Sequence, residues 1–327
     1  MKPVFDKIRW GIIGCGDVTE KKSGPAFQKV ANSELVAVMR RDAKLARDYA
    51  QRHNVPNWYS KADELINDPQ VDAVYIATPP SSHKEYTLAV AKARKPVYVE
   101  KPMAMNYAEC QEMINTCETA KVPLFTALYR RGLPRFLKVK ELIDSGSIGE
   151  VRAVNMALYK PASTQDIQGG KNWRVDPAIA GCGYFCDLAP HMIDLLIYFL
   201  GPIDSAQGHT ANQGKLYDAE DLVSAMFEFE SGVQGVGLWS FNANHHLDRV
   251  EIIGSKGCIK YSCFMDKPVL LNKNGKEKEF SIEHPIHIQQ ALIQTIVDEL
   301  LGKGTCPSTG KTAAITQLVM DKILNTP

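Results

Sequence analysis

An excess of charge of either sign is missing from this chain. Its 38 Lys and Arg stand against 37 Asp and Glu, a formal net charge of +1. No broad basic field points to nucleic acid, and no acidic one to a basic partner. Long apolar runs are missing too. Nowhere do the roughly 18 apolar residues of a membrane span follow one another, and Met1 to Lys7 holds no apolar core of signal-peptide length. The eight cysteines form no CxxC pair. Cys182 and Cys186 lie four apart with no second pair beside them, so reduced thiols and no metal are expected. Repeats and low-complexity segments are also absent. What remains is a cytoplasmic globular protein with a small-molecule partner, no nucleic acid and no membrane. At 327 residues it exceeds one typical domain, so two are expected.

The most informative stretch that is present runs from Lys95 to Met103, Lys-Pro-Val-Tyr-Val-Glu-Lys-Pro-Met. Val97 to Val99 reads as a short buried strand. Pro102 has no amide donor and a fixed φ, so the strand ends there and Lys101 stays at its carboxyl end. In open α/β sheets that edge is where ligands bind.

Upstream, Ile8 to Ile13 reads as a first strand running into Gly14-Cys15-Gly16-Asp17-Val18-Thr19. This is a dinucleotide fingerprint with threonine in place of its last glycine, which sets strand and helix slightly farther apart. Gly24-Pro25 interrupts the crossover helix, leaving a helix proper at about 25 to 30. A second strand ends at Met39, Asp42 caps a helix through His53, and Trp58-Tyr59 is a short third strand. Ser60 with Asp63 resembles a capping box opening a helix to Asn67. A strand at 71–77 leads into Thr78-Pro79-Pro80-Ser81-Ser82-His83, with a helix to about Ala93. Asn106 with Glu109 opens a helix to Ala120, and Pro123 to Ala127 is the last strand. Apolar strands alternating with helices indicate a doubly wound parallel sheet, so residues 1–126 read as a Rossmann domain. The ribose of the coenzyme is read at the end of the second strand. Arg40 stands where an NAD-selecting carboxylate is expected, and Arg40 with Arg41 suits the 2′-phosphate of NADP, with NAD as the alternative.

Residues 127–327 change character. Pro134 opens a helix to about Ser145. Val151 to Tyr159 is a strand, followed by a polar loop to Asn172 and then six strand-like runs from Ile203 to Leu271 with short turns. Helices at about 286–301 and 310–325 close the chain. The pattern is an α+β domain: an open, mostly antiparallel sheet with helices on one face. Its densest chemistry is Trp173-Arg174, then a glycine-rich turn and Asp187-x-x-x-His191. Pro190 is expected in a first helical turn, so the helix should start near Asp187. Asp187 and His191 then share one face, where a carboxylate can orient an imidazole for proton transfer.

Gly14-Cys15-Gly16, Ala77-Thr78-Pro79-Pro80, Glu100-Lys101-Pro102, Trp173-Arg174 and Asp187-x-x-x-His191 stand in one order along the chain. In this the sequence resembles the Gfo/Idh/MocA family of NAD(P)-dependent oxidoreductases over essentially its whole length. The resemblance implies that Lys101, Asp187 and His191 form the catalytic group and that Thr78 and Pro79 lie against the nicotinamide. It also implies that Trp173 and Arg174 lie near cofactor or substrate, and that the second sheet often joins copies, here as a homodimer or homotetramer. Thr19, the Gly24-Pro25 break and Cys182 depart from the family pattern.

The expected reaction is hydride transfer between nicotinamide and a carbonyl or hydroxyl carbon of a sugar or polyol-like substrate, in a cleft between the domains. His191 would move the proton and Lys101 would hydrogen-bond the reacting oxygen. Cofactor contacts are expected from Gly14, Cys15, Gly16, Asp17, Val18, Arg40, Arg41, Thr78, Pro79, His83, Glu100, Lys101, Arg130, Trp173 and Arg174. Substrate contacts are expected from Lys101, Tyr129, Trp173, Asp187 and His191. Two alternatives keep the fold: a non-catalytic nicotinamide-binding regulator, and a redox-cycling glycosidase or dehydratase that retains its cofactor.

Overall fold

The computed structural model describes residues 6–325, so most of the N-terminal stretch read for a leader lies outside the described residues. The chain forms two compact units. One runs up to Leu133 and takes in Pro285–Ala314; the other comprises Pro134–His284 and the chain from Ile315 onward. The division is therefore discontinuous in sequence.

The first unit carries a six-stranded parallel sheet in the order β3-β2-β1-β4-β5-β6. Its elements are β1 (Ile8–Ile13), α1 (Asp17–Lys21), α2 (Gly24–Phe27), β2 (Ser33–Met39), α3 (Ala43–Arg52), β3 (Asn57–Tyr59) and α4 (Ala62–Ile66). There follow β4 (Ala73–Ile76), α5 (His83–Lys92), β5 (Val97–Val99), α6 (Tyr107–Ala120) and β6 (Leu124–Thr126). Every residue of β4, β5 and β6 is buried, as a parallel sheet covered on both faces requires. Trp10, Phe27, Tyr75 and Tyr98 form one aromatic cluster with successive centroids 4.9, 5.4 and 4.7 Å apart. Truncating a ring such as Phe27 to alanine would cost about 3–5 kcal/mol.

Asp42 accepts from the amides of Lys44 and Leu45 and caps α3 as expected, and Asn106 caps α6 through the Glu109 amide. The Ser60–Asp63 box does not form. The N-cap of α4 is Lys61, with no side-chain cap. The crossover after β1 does break at Gly24-Pro25, but as two short helices rather than one at 25–30. A Cβ at Gly24 would meet the Thr19 carbonyl and the Tyr49 hydroxyl at 2.2 Å, so only glycine permits the approach that splits the helix.

The second unit carries eight strands in the order β14-β13-β12-β11-β7-β10-β9-β8. Its first elements are α7 (Pro134–Asp144), β7 (Val151–Tyr159), α8 (Thr164–Ile167), α9 (Pro177–Ala180), α10 (Gly183–Leu200) and β8 (Ile203–Ala211). The remaining strands are β9 (Leu222–Phe229), β10 (Gln234–Ser240), β11 (Leu247–Gly254), β12 (Gly257–Tyr261), β13 (Val269–Lys273) and β14 (Lys276–Phe280). Only β7 and β10 pair in parallel; the other pairs are antiparallel. Alternating burial along β9 and β10 marks one covered face. Two helices close the chain, α11 (Gln290–Leu300) in the first unit and α12 (Gly310–Leu324), whose residues divide at Ala314/Ile315. Strand β14, Lys-Glu-Lys-Glu-Phe, has no apolar alternation to announce it and is held by its ladder with β13. Among the described residues no helix is long and apolar enough to cross a membrane.

Candidate active site

The parallel ladder lines up the strand ends of the first unit. Met39 and Ile76 each pair with Ile13, Ile76 with Val99, and Val99 with Thr126. Arg40, Gly14, Ala77, Glu100 and Ala127 therefore leave the sheet as one row. Sheet order also places β1 beside β4 at the point where the winding reverses, the position at which such sheets take ligands.

Gly14 has φ +90°, and a Cβ there would meet Thr78 Cγ2 at 2.7 Å. Glycine thus lets the turns after β1 and β4 close on each other. Gly16 is different: its nearest neighbour to an added Cβ is 3.9 Å away, so its backbone is open to approach. Cys15 is fully buried, and burial pushes its thiol up to about 11, so what it offers a ligand is backbone. Thr19, in the place of the third glycine, donates its hydroxyl to the Gly16 carbonyl at 2.7 Å and ties the turn to the first helix. Asp17 and Val18 open that helix, α1. Arg40, half-buried, donates to the Cys15 carbonyl at 3.3 Å, so its guanidinium lies beside the glycine turn, while Arg41 is exposed. A closed glycine turn, an open backbone at Gly16 and a guanidinium beside them suit the phosphates and ribose of a dinucleotide.

Farther along the row, Thr78, Pro79 and Lys101 are partly exposed. His83 is fully buried. Its Nδ1 lies 2.9 Å from the Pro102 carbonyl and its Nε2 2.7 Å from the Thr78 carbonyl. The ring therefore staples the turn after β4 to the turn after β5. Only the imidazolium can donate to both carbonyls. Burial holds its pKa below the ordinary 6.5 although the two carbonyls oppose this, so near neutral pH the ring is neutral and donates to one carbonyl at a time. Glu100 is buried as well and accepts the Tyr75 hydroxyl at 2.6 Å. Tyr129 and Arg130 are 5% and 6% exposed, the guanidinium 5.3 Å from the phenol ring. They belong to the interior of the turn after β6. The groove of about 990 Å³ between α5 and α6 is lined by none of these residues.

In the second unit, α10 begins at Gly183 rather than near Asp187, and Pro190 lies inside it. The proline leaves the Cys186 carbonyl without its helical donor, a loss of about 3 kcal/mol or more. An almost wholly buried helix tolerates it. The thiols expected to be reduced are not all so: Cys182 and Cys186 form a disulfide, Cα to Cα 5.1 Å. At a helix start the N-cap residue overhangs the residue four positions on, which brings the two sulfurs together. The other six cysteines form no disulfide among the described residues.

Asp187 and His191 follow on one face of α10. Arg174 Nε approaches Asp187 Oδ2 at 3.5 Å, and its guanidinium covers the Trp173 ring at 4.5 Å. His191 is 3% exposed, with the Phe264 ring edge-on at 6.0 Å. The loop before Trp173 is less loose than its polarity suggests. It contains α8, and buried Asp166 accepts from Ser163 Oγ and Tyr184 OH at 2.6 Å and from Asn172 Nδ2 at 2.9 Å. Burial pushes the Asp166 carboxyl up, but these three donors together hold it below its ordinary value. Asn172 in turn accepts from the Arg174 amide. Asp166 thus fixes the Trp173-Arg174 strip to the start of α10. Ser163-x-x-Asp166 is a capping-box spacing, the local sequence sign of this anchor.

Residues 8–128 match an oxidoreductase family with an NAD-binding Rossmann fold, and residues 136–260 match the GFO/IDH/MocA C-terminal domain. Oxidoreductase P35 of Formosa agariphila is 40% identical over 98% of this chain and 99% of its own length. The chain belongs to the Gfo/Idh/MocA oxidoreductases. The 1,5-anhydro-D-fructose reductase of Ensifer adhaerens is 29% identical over 93% of this chain and 91% of its own length. Levoglucosan dehydrogenase solved with NADH superposes with a TM-score of 0.85 at 21% identity, covering 98% of this chain and 96% of the other, and shows a shared fold. This Gfo/Idh/MocA chain is an NAD(P)-dependent oxidoreductase. Its departures, Thr19 and the Gly24-Pro25 break, are accommodated by the Thr19–Gly16 bond and the Gly24 contact described above.

Proposed function

We propose that this oxidoreductase moves a hydride between nicotinamide and a hydroxyl- or carbonyl-bearing carbon of a sugar- or polyol-like substrate. The observation that carries this reading is the in-register row after β2, β1, β4 and β5, which puts Arg40, Gly14, Thr78 and Lys101 along one sheet edge. The bound cofactor supplies the hydride donor or acceptor. The chain's residues orient the reacting carbon and handle the proton. Lys101 donates to the reacting oxygen and stabilises the negative charge that develops on it. His191 takes or returns the hydroxyl proton, and Asp187, which Arg174 Nε approaches at 3.5 Å, sets the ring's orientation. Thr78 and Pro79 take the nicotinamide end, and Gly14 to Val18 take the pyrophosphate. Trp173 offers an apolar face to the substrate's carbon skeleton. His83 and Glu100 act by holding the two turns, since both are buried. The relatives named for an anhydro-sugar substrate support the substrate class.

Arg40, with Arg41 beside it, selects NADP. Titration following nicotinamide fluorescence is expected to show tighter binding of NADPH than NADH, reversed or levelled in Arg40→Asp. Tighter NADH binding by the unaltered protein would sink the coenzyme assignment while leaving the fold and reaction untouched.

The open face of the eight-stranded sheet seats a second copy of the chain. Met226 and Val236 face each other across β9 and β10 at 55% and 47% exposure, and Ile253 on β11 is 39% exposed. Apolar exposure of this kind marks an association surface. Light scattering on the eluting protein is expected to give a dimer or tetramer that Val236→Lys disrupts. A monomeric unaltered protein would contradict this.

A further inference from the structure

Gln289 lies outside the groups assigned to the reaction, and it is fully buried. It comes from the C-terminal segment that packs with the first unit and stands immediately before α11. Its Oε1 accepts the Tyr98 hydroxyl at 2.8 Å, which turns its amide toward Glu100, and Nε2 donates to Glu100 Oε1 at 2.7 Å. The same oxygen accepts the Tyr75 hydroxyl at 2.6 Å. The other carboxylate oxygen accepts the backbone amide of Lys101 at 3.1 Å. Burial raises the pKa of both phenols well above their ordinary value, so both remain donors at neutral pH. A carboxylate 7% exposed needs such donors, because an unmet buried charge is costly.

We infer that Gln289 is a positioning residue for Lys101, acting through Glu100. The chain of contacts runs from Tyr98 to Gln289, to the Glu100 carboxylate and to the Lys101 amide. On the other side of Lys101, His83 holds the Pro102 carbonyl. The residue that would donate to the reacting oxygen thus leaves β5 between two buried anchors, one of them supplied by a segment 189 residues away in sequence. This inference rests on the proposed role of Lys101.

Two substitutions test it. Gln289→Met keeps the volume but removes the donor; kcat is expected to fall about 10- to 100-fold at every pH, the scale of a misplaced catalytic group, with cofactor affinity nearly unchanged. Gln289→Glu faces one carboxyl with another, so the pair retains a proton at a pH where a lone carboxylate has lost it. The shared proton restores the donor at acidic pH and is lost as pH rises. Its kcat is expected to approach the unaltered value on the acid side and fall on the alkaline side, a limb that Gln289→Met lacks. The raised folded pKa has a stability consequence without any cofactor. Stabilisation is present below the ordinary carboxyl value of about 4.3 and lost as pH rises through the raised one. The melting temperature of Gln289→Glu should accordingly fall relative to the unaltered protein as pH increases. Unchanged kcat and pH profile in both folded variants would overturn the inference, as would a loss confined to thermal stability. Lys101→Met measured alongside separates the two failures: if it alone lowers turnover, the role of Lys101 stands and only that of Gln289 falls.

Discussion

Lys101→Met is expected to lower turnover by about 10²–10³-fold, the effect of removing one donor from a developing oxyanion, with NADPH or NADH affinity nearly unchanged. The expectation follows from where the lysine sits. Val97 to Val99 is wholly buried and pinned between β4 and β6, so the backbone reaching Lys101 is fixed by the sheet. The Glu100 carboxylate accepts the amide of Lys101 itself, and His83 holds the carbonyl of Pro102 that follows it. Methionine keeps the length and apolar stem but donates nothing, so these anchors survive the change. Steady-state rates beside a fluorescence titration separate the outcomes. Loss of cofactor affinity at unchanged turnover would place Lys101 in binding alone.

His191→Asn is expected to cost about 10²–10⁴-fold in kcat, the usual worth of a positioned acid–base group. Asparagine preserves much of the volume and some hydrogen bonding but cannot shuttle a proton near neutral pH. His191 is 3% exposed beside Phe264, so a fall in rate requires a melt to show that the fold survived. Asp187→Asn is expected to lower kcat in the same direction, because the amide no longer favours the imidazolium formed when the ring takes a proton. If His191→Asn folds, binds nicotinamide and turns over at the unaltered rate, proton transfer belongs to another group.

The sheet edge was legible because parallel β-structure writes itself as short apolar runs. Val-Tyr-Val before Glu100-Lys101-Pro102 announced both the strand and its end, and Asp42 and Asn106 announced their helices by capping. Failures occurred where spacing alone was ambiguous. Pro190 suggested a helix start, yet tertiary burial kept it in the interior of α10. Cys182 and Cys186 read as unpaired because an i,i+4 separation becomes a pair only once a helix N-terminus folds over it. Glu100 and His83, expected as cofactor contacts, are buried and hydrogen-bonded to the chain's own groups. Gln289 gave no local signal, since its partners Tyr98 and Glu100 are brought to it only by the return of the C-terminal segment to the first sheet.

The most direct measurement is the absorbance of reduced nicotinamide when the purified protein, saturated with NADP or with NAD, meets a panel of polyols, aldoses and anhydro-sugars. Substrate-dependent formation of the reduced cofactor by the unaltered protein, slowed about 10²–10³-fold in Lys101→Met, is the expected result. A protein that binds the cofactor yet reduces none of it with any sugar or polyol, and oxidises none in the reverse direction, would contradict the proposed reaction.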